Sequence, residues 1–146
     1  MSARHSAAGL AALLVAASCA SFGQGGGEAD DSGVAHDRGA VVLTGHALED
    51  GAGTVLGAMA GKVPNFRIQH TGSGCPSITL RSYVSYVGLA NPHVYVDGTR
   101  ATDTCVLESL RSSDVQRVEV YPQGFTRRPG YGTHAPGLIL VFMRTG

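Results

Sequence analysis

The sequence predicts a single small α+β domain, in which a mixed sheet is covered by short helices. Residues 114–121 alternate apolar and polar side chains, as a half-buried strand does, whereas residues 54–62 place apolar side chains at helical intervals. Residues 138–142 are apolar on both parities, which predicts a strand buried on both faces. The 146 residues are 43% hydrophobic with a formal net charge of zero, a composition that fits one globular domain.

The domain is predicted to begin with a strand and an amphipathic helix. Ala40 to Thr44 is a β-prone run, and Thr44 is predicted to cap a turn or short helix over residues 46–49. The next helix spans Thr54 to Lys62 and stops at Pro64. Its apolar positions are Val55, Met59 and Val63. We expect this face to pack against the sheet as plain core.

The rest of the chain is rich in strand signals. Four candidates precede the closing run: Phe66–His70, Ile78–Arg81, His93–Val96 and Asp114–Tyr121. Asp97 and Gly98 tolerate positive backbone dihedrals, so we expect them to form a tight hairpin turn with a structural role. Val106 to Leu110 is predicted to form one or two helical turns. Leu138 to Phe142 is predicted to be a buried central strand.

The N-terminus has the pattern of an export signal. Arg4 and His5 precede an apolar stretch, Ala7 to Ala17, which has roughly the length of a signal-peptide core and is too short to span a bilayer. The run VAASC ends at Cys19 and is similar to a lipobox, so Cys19 is predicted to carry a lipid anchor. Cleavage after Ala20, which would remove Cys19, is the alternative.

A Gly-rich, acidic segment follows and suits a flexible tether, which favours lipidation over simple cleavage. The predicted division of the chain is a signal peptide over residues 1–19, a tether over 20–39 and the domain over 40–146. The predicted location is the periplasmic face of the outer membrane, or the periplasm if no lipid is attached.

Two cysteines remain once Cys19 is lipidated or removed. Cys75 and Cys105 would then share an oxidising compartment, and we predict that they form a disulfide. The rival interpretation is a metal site that includes His70 and His93, which lie near the cysteines in sequence. Neither CxxC nor HExxH spacing is present, so we expect no metal and no cofactor.

Composition and motifs argue against nucleic-acid binding and catalysis. The ten arginines are scattered, apart from adjacent Arg127 and Arg128, and there is one lysine, so no basic stripe is expected. No nucleophile elbow, P-loop or zinc-protease motif is present, so we expect a protein that is not an enzyme. Arg128, Tyr131 and His134 form a candidate binding surface in a Gly/Pro-rich loop, for which a solvated loop is the alternative.

Several segments, taken in order, resemble the plug domain of TonB-dependent receptors. They are TGHALED with TVLGAMAGKVPNFRI, then ITLRS, VYVDGTRA, SSDVQRVEVY and GYGTHAPGLILVFMRTG. Together they cover nearly the whole predicted domain. Asn65 and Ser82 stand where glycines are usual, and YPQGF replaces the usual "lkGp" loop, so contacts of that loop do not carry over. No segment matches a TonB box convincingly.

The matching residues suggest one ion pair. Arg81 and Glu119 lie on strands predicted to be neighbours, and we expect them to pair across the sheet and fix its register. The barrel around such a plug has 22 strands of about ten residues, or roughly 220 residues in all. We therefore expect a plug-like module without its own barrel, and no inherited transport activity.

Two functional hypotheses follow. The first is a non-enzymatic, plug-like interaction module, anchored in the periplasm at the outer membrane, that docks to a separately encoded TonB-dependent barrel or another envelope protein. The second is a periplasmic lipoprotein that binds a small ligand or a carbohydrate through the loops at residues 72–74 and 122–134. A hydrolase is a remote third.

Overall fold

The computed structural model describes residues 33–50, 53–80 and 90–145 of the chain. The predicted signal peptide, the lipidation residue Cys19 and the arginine Arg81 lie outside these ranges. No helix within the described ranges is both long and apolar enough to cross a membrane.

A six-stranded mixed sheet forms the centre of the domain. Its strands, in spatial order, are β1 (Val34–Asp37), β2 (Ala40–Thr44), β7 (Val115–Tyr121), β8 (Leu138–Met143), β5 (His93–Val96) and β6 (Thr99–Arg100). Strand β8 is antiparallel to β7 and parallel to β5, so it lies inside the sheet, as its unbroken apolar run predicts. The architecture is α+β, as predicted.

Three short helices cover one face of this sheet. They are α1 (His46–Glu49), α2 (Val55–Met59) and α3 (Val106–Ser109), and a single 3-10 turn spans Ser112–Asp114. Their apolar residues share one buried cluster with inward-facing strand residues, and Met59 is fully buried there, as expected. Thr54 begins α2 because its hydroxyl accepts a hydrogen bond from the Gly57 amide at 3.1 Å.

The predicted cap at Thr44 is wrong. Gly45 precedes α1 and makes no side-chain cap, whereas the Thr44 hydroxyl donates to the Gly33 carbonyl at 3.4 Å. Thr44 is the last residue of β2, and its backbone amide also donates to Gly33. Because Thr44 ends a strand that is paired with β1, its hydrogen bonds go to Gly33, which precedes β1, and not to α1.

The sheet begins earlier than the sequence predicts. Strand β1 lies within the predicted tether and pairs with β2 in register Val34↔Leu43 to Asp37↔Ala40, so the main sheet includes residues that precede the predicted start at Ala40. Only Val34 and Ala35 are partly buried in β1, which leaves little apolar pattern to detect. The hairpin is closed by two positive-φ residues, which suits a two-residue turn.

The first two strands after α2 do not join the main sheet. Strands β3 (Arg67–Gln69) and β4 (Ser77–Thr79) pair only with each other, as a separate two-stranded antiparallel sheet. The expectation of one sheet that includes these strands is therefore wrong. The alternation of apolar residues predicts each strand, but it does not say which strand is its partner.

A disulfide joins this small sheet to the main domain. Cys75 lies just before β4 and Cys105 just before α3, and their sulfur atoms are bonded, as the sequence predicts. The buried Thr104 hydroxyl reinforces the connection by donating to the Pro76 carbonyl at 2.5 Å. Asp103 lies close to both sulfur atoms, but sulfurs joined in a disulfide are no longer the thiolates that metals prefer.

The disulfide should stabilise the domain measurably. In a Cys19→Ser background, Cys75→Ser, Cys105→Ser and the double variant should each lose about 3–4 kcal/mol of unfolding free energy, because one bond closes a thirty-residue loop. Chemical denaturation measures this loss. Two reactive thiols in the unfolded, unreduced Cys19→Ser protein would contradict the disulfide.

Candidate functional site

No helix of residues 33–50, 53–80 or 90–145 lies over the second face of the sheet, which we call the helix-free face. A loop of residues 122–137, which connects β7 to β8, lies on this face instead. A second apolar cluster is buried beneath: Ala40, Tyr121, Leu138 and Leu140, with Val42, Tyr95, Tyr131 and Phe142 partly buried around them. This face carries polar and charged side chains among its apolar ones, and the candidate site is built here.

One backbone hydrogen bond joins the two ends of the loop, and a second forms a turn at its C-terminal end. The His134 amide donates to the Gly124 carbonyl at 2.8 Å, and the Gly137 amide donates to the His134 carbonyl at 2.8 Å. Gly124 has φ of 74°, and a Cβ atom there would overlap the His134 carbonyl. Glycine is therefore required at this crossing by both conformation and space.

A β-bulge in β7 decides which side chains reach this face. Val115 pairs with Met143 and Arg117 with Phe142, so two residues of β7 oppose one residue of β8. The extra residue lets Val115 and Val118, three positions apart, point into the same helical core. After the bulge the alternation resumes, and Glu119 projects onto the face opposite to Val118.

Glu119 is a buried carboxylate, with only 3% of its surface exposed. Arg128 reaches down from the loop and donates two parallel hydrogen bonds, Nε to Oε2 at 2.7 Å and Nη2 to Oε1 at 2.5 Å. The Tyr121 hydroxyl donates a third bond to Oε2 at 2.8 Å. A bidentate guanidinium is the geometry best suited to neutralise a carboxylate that water cannot reach.

A second arginine shares the Glu119 carboxylate with Arg128, so the three side chains together carry one net positive charge. Arg117 Nε lies 3.0 Å from Glu119 Oε1, within ion-pair distance, although its N–H does not point at a hydrogen-bond acceptor. The guanidiniums of Arg117 and Arg128 lie over the Phe142 ring, with Cζ 4.7 Å and 5.2 Å from its centre. Charge attraction and cation–π contact therefore act on the same two side chains.

The contacts with Glu119 and burial set the protonation states of Tyr121 and Arg128. Burial raises the pKa of the Tyr121 phenol, and the neighbouring Glu119 carboxylate acts in the same direction. The hydrogen bonds to Glu119 raise the pKa of Arg128 above its already high ordinary value. The Tyr121 hydroxyl thus remains a neutral donor and Arg128 a cation at neutral pH.

An open cleft of about 640 Å³ lies beside this cluster. Its lining includes Glu119 and Arg128, the apolar Val42, and two residues of the loop, Phe125 and Arg127. The Phe125 ring is 56% exposed, which is unusual for a large apolar side chain. The cleft therefore combines a cationic rim, an apolar wall and an exposed aromatic ring.

A second cluster of basic side chains lies where the loop meets the β5–β6 hairpin. The rings of His93 on β5 and His134 in the loop stack in parallel, 3.4 Å apart and inclined by 7°. Arg100 on β6 donates to His93 Nε2 at 2.6 Å. His134 Nε2 lies 2.9 Å from the Asn91 carbonyl, so it must carry a proton and donate. Burial lowers the pKa of His93, and the positive charges of His134 and Arg100 act in the same direction.

The three residues of the predicted binding surface lie in one loop but reach different partners. Arg128 binds Glu119, Tyr131 packs edge-on against Tyr95 with ring centres 5.0 Å apart, and His134 stacks on His93. They line two separate cavities or contact the sheet, rather than converging on one ligand position. The predicted single surface is therefore divided in two.

The predicted turn and ion pair have different outcomes. Asp97 and Gly98 have φ of 46° and 83°, and Asp97 Oδ1 accepts a hydrogen bond from the Met143 amide at 2.9 Å, so their role is structural, as expected. Glu119 is in an ion pair, but its partners within the described residues are Arg128 and Arg117. Strand β4, which leads towards Arg81, does not neighbour β7, so the geometric reason for an Arg81–Glu119 pair is absent.

The comparisons with known proteins agree with the fold. No family model matches the sequence, and no curated protein matches it either. Among the solved structures that match, two have a TM-score of 0.55. The RagAB peptide importer is 17% identical over 72% of this chain, and the ferric yersiniabactin uptake receptor FyuA of Yersinia pestis is 24% identical over 73%. This chain spans 12% and 17% of their respective lengths, so the likeness establishes a shared fold with part of each receptor.

The contact between Glu119 and Arg128 should dominate the stability of this face. Arg128→Gln should lower the unfolding free energy by about 3 kcal/mol, because it leaves a buried carboxylate short of its main partner. Adding Glu119→Gln should cost less than the sum of the single changes, and chemical denaturation of all four proteins measures the coupling. Arg127→Gln, next to it in sequence, should change stability by no more than about 0.5 kcal/mol. Additive effects would contradict the pairing.

The stacked histidines should make stability depend on pH. Because the pKa of His93 is lowered, the folded protein binds a proton there less readily than the unfolded chain. This contribution to stability is complete above pH about 6.5 and is lost as the pH falls through the lowered pKa. Thermal melting from pH 8 to pH 5 should show this loss in wild type and in His36→Gln, an exposed control on β1. The same loss in His93→Gln would contradict the assignment.

Proposed function

We propose that this protein is a non-enzymatic, plug-like interaction module. It is anchored through Cys19 in the periplasm at the outer membrane, and it docks to a separately encoded TonB-dependent barrel or another envelope protein. One observation carries the proposal: about 72% of this chain has the fold of part of two TonB-dependent receptors, yet it spans only 12–17% of their lengths.

The helix-free face offers the docking surface. Phe125 and Arg127 line the 640 Å³ cleft and add an exposed aromatic ring and a cation. The neighbouring Arg128, by contrast, is already paired with Glu119. Aromatic and arginine side chains are the types that contribute most to protein interfaces. The loop that carries them is fixed to the sheet by Glu119, so it reaches a partner with little loss of conformational freedom.

A small-ligand function is the second candidate, and the cleft itself favours it. Its volume of about 640 Å³ lies within the range of roughly 300–1,000 Å³ that small-molecule sites occupy. In this alternative, a periplasmic lipoprotein binds a small ligand or carbohydrate beside Arg127 and Phe125. The sequence predicts this ligand site at the loops of residues 72–74 and 122–134, but the cleft is lined by the β1–β2 hairpin, β7 and the 122–137 loop, without residues 72–74.

Crosslinking in intact membranes separates the two functions. A photoreactive phenylalanine analogue at position 125 should capture one envelope protein, identified by mass spectrometry, while the same analogue at Arg67 on β3 should not. Adducts at both positions, or at neither, would contradict docking through the helix-free face. A monomer whose melting temperature rises with a small ligand, and which captures no protein, would favour the second candidate.

The anchor is tested separately. Labelled palmitate should be incorporated into the wild-type protein and not into Cys19→Ser, and globomycin should cause the unprocessed precursor to accumulate. Absence of label on the wild type would remove the lipid anchor from the proposal.

A further inference from the structure

The cavity between the β5–β6 hairpin and the 122–137 loop holds three basic side chains that come from three different segments. His93 and His134 stack at 3.4 Å, and the Arg100 guanidinium lies 2.6 Å from His93. All three line a cavity of about 250 Å³, distinct from the cleft beside Glu119. This volume is several times the about 30 Å³ that one water molecule occupies in the liquid, so it admits a small polyatomic ion.

These basic groups lack the counter-charge that the other cluster has. Among the described residues, no carboxylate lies within 4.0 Å of the charged nitrogens of Arg100, His93 or His134. Asp103 also lines the cavity, but its two oxygens accept hydrogen bonds from the Cys105 amide and the Thr102 hydroxyl. Around Glu119, by contrast, two arginines share one buried carboxylate.

The hydrogen bond between Arg100 and His93 requires a neutral imidazole. An arginine only donates, so His93 Nε2 must accept and its single proton must lie on Nδ1. When His93 takes up a second proton, two donors face each other across 2.6 Å and neither has an acceptor. Protonation of His134 adds a further donor at Nδ1, because Nε2 already donates to Asn91.

We propose that this cavity is a proton-linked binding site for a small tetrahedral oxyanion, of the sulfate or phosphate type. Once protonation of His93 breaks its hydrogen bond with Arg100, both donors are free, and an anion oxygen beside them in the cavity accepts from both. Three donors that converge from three segments match a tetrahedral anion better than the two oxygens of a planar carboxylate. Burial lowers the pKa of His93 in the unliganded protein, and the positive charges of His134 and Arg100 act in the same direction, as an uncompensated basic cluster does. The site is independent of the proposed docking function.

Sulfate is the better probe, since its charge is the same at pH 6 and pH 8. Imidazole resonances of the mature protein, followed by NMR at constant ionic strength with chloride as the balancing ion, should shift saturably for His93 and His134 as sulfate is added. Exposed His36 on β1 serves as the internal reference. Binding should be at least about tenfold tighter at pH 6 than at pH 8, which requires the pKa of His93 to rise by more than one unit on binding.

Arg100→Gln should weaken sulfate binding at least about tenfold, whereas Arg67→Gln, on the separate β3–β4 sheet, should leave it unchanged. The reference shifts of His36 verify that each variant is folded. The proposal is overturned if the sulfate shifts do not saturate, if affinity is equal at the two pH values, or if both arginine variants bind as wild type does. Histidine titration that is the same with and without sulfate would also overturn it.

A parallel experiment distinguishes a free anion from a lipid headgroup. Co-sedimentation with phosphatidylcholine vesicles, with and without phosphatidic acid, uses the mature protein with Cys19→Ser to remove the anchor. Sedimentation that needs phosphatidic acid and Arg100 assigns the site to a phosphate headgroup. Saturable sulfate binding without sedimentation assigns it to a free anion, and the absence of both refutes the site.

Discussion

The buried carboxylate of Glu119 is the constraint on which the helix-free face depends. A carboxylate at 3% exposure is tolerated only with a close, well-aligned cation, and the bidentate one comes from Arg128 in the loop rather than from a neighbouring strand. This contact fixes Arg128 of the 122–137 loop to the sheet, and the Tyr131–Tyr95 and His134–His93 ring contacts lie further along the same loop. It also orders the aromatic rings beneath, since Tyr121 donates to the same carboxylate and Phe142 lies under both arginines. The cleft, its rim and the position of Phe125 follow from it.

The two faces of the sheet therefore have different roles: one provides stability and the other carries the candidate binding cavities. On one face, short helices and an apolar core supply stability, reinforced by the Cys75–Cys105 disulfide that attaches the β3–β4 sheet. On the other, a polar loop held by charge leaves two cavities open at its edges. The 640 Å³ cleft lies beside two arginines that share the Glu119 carboxylate, and the exposed Phe125 ring lines it. These features suit a protein partner. The other has histidines and an arginine without a counter-charge, which suits an anion.

Much of the fold is predictable from local pattern. The unbroken apolar run of residues 138–142 identifies a central strand, and the Asp97–Gly98 pair identifies a hairpin, because both are local requirements. Strand β1 escapes prediction because its few side chains are mostly exposed, and the separation of the β3–β4 sheet escapes because strand pairing is not local. Arg128, the partner of Glu119, is only nine residues away in sequence. A β-bulge and an irregular loop bring the two side chains together, and because neither the bulge nor the loop has a periodic sequence pattern, the pairing is not predictable. The spacing VQRVEV, with valines three apart and then two apart, is the one trace of that bulge in the sequence.

Amide hydrogen exchange tests most directly whether Glu119 holds the loop on the sheet. The informative amides are those of His134 and Gly137, whose hydrogen bonds close the loop, compared with the amide of Val141 within β8. In Glu119→Gln, we expect the two loop amides to exchange roughly a hundredfold faster relative to Val141, as local opening becomes about 3 kcal/mol easier. Glu108→Gln, an exposed change on α3, should leave the ratio as it is in wild type. Loop amides that keep their wild-type protection in Glu119→Gln would contradict the account.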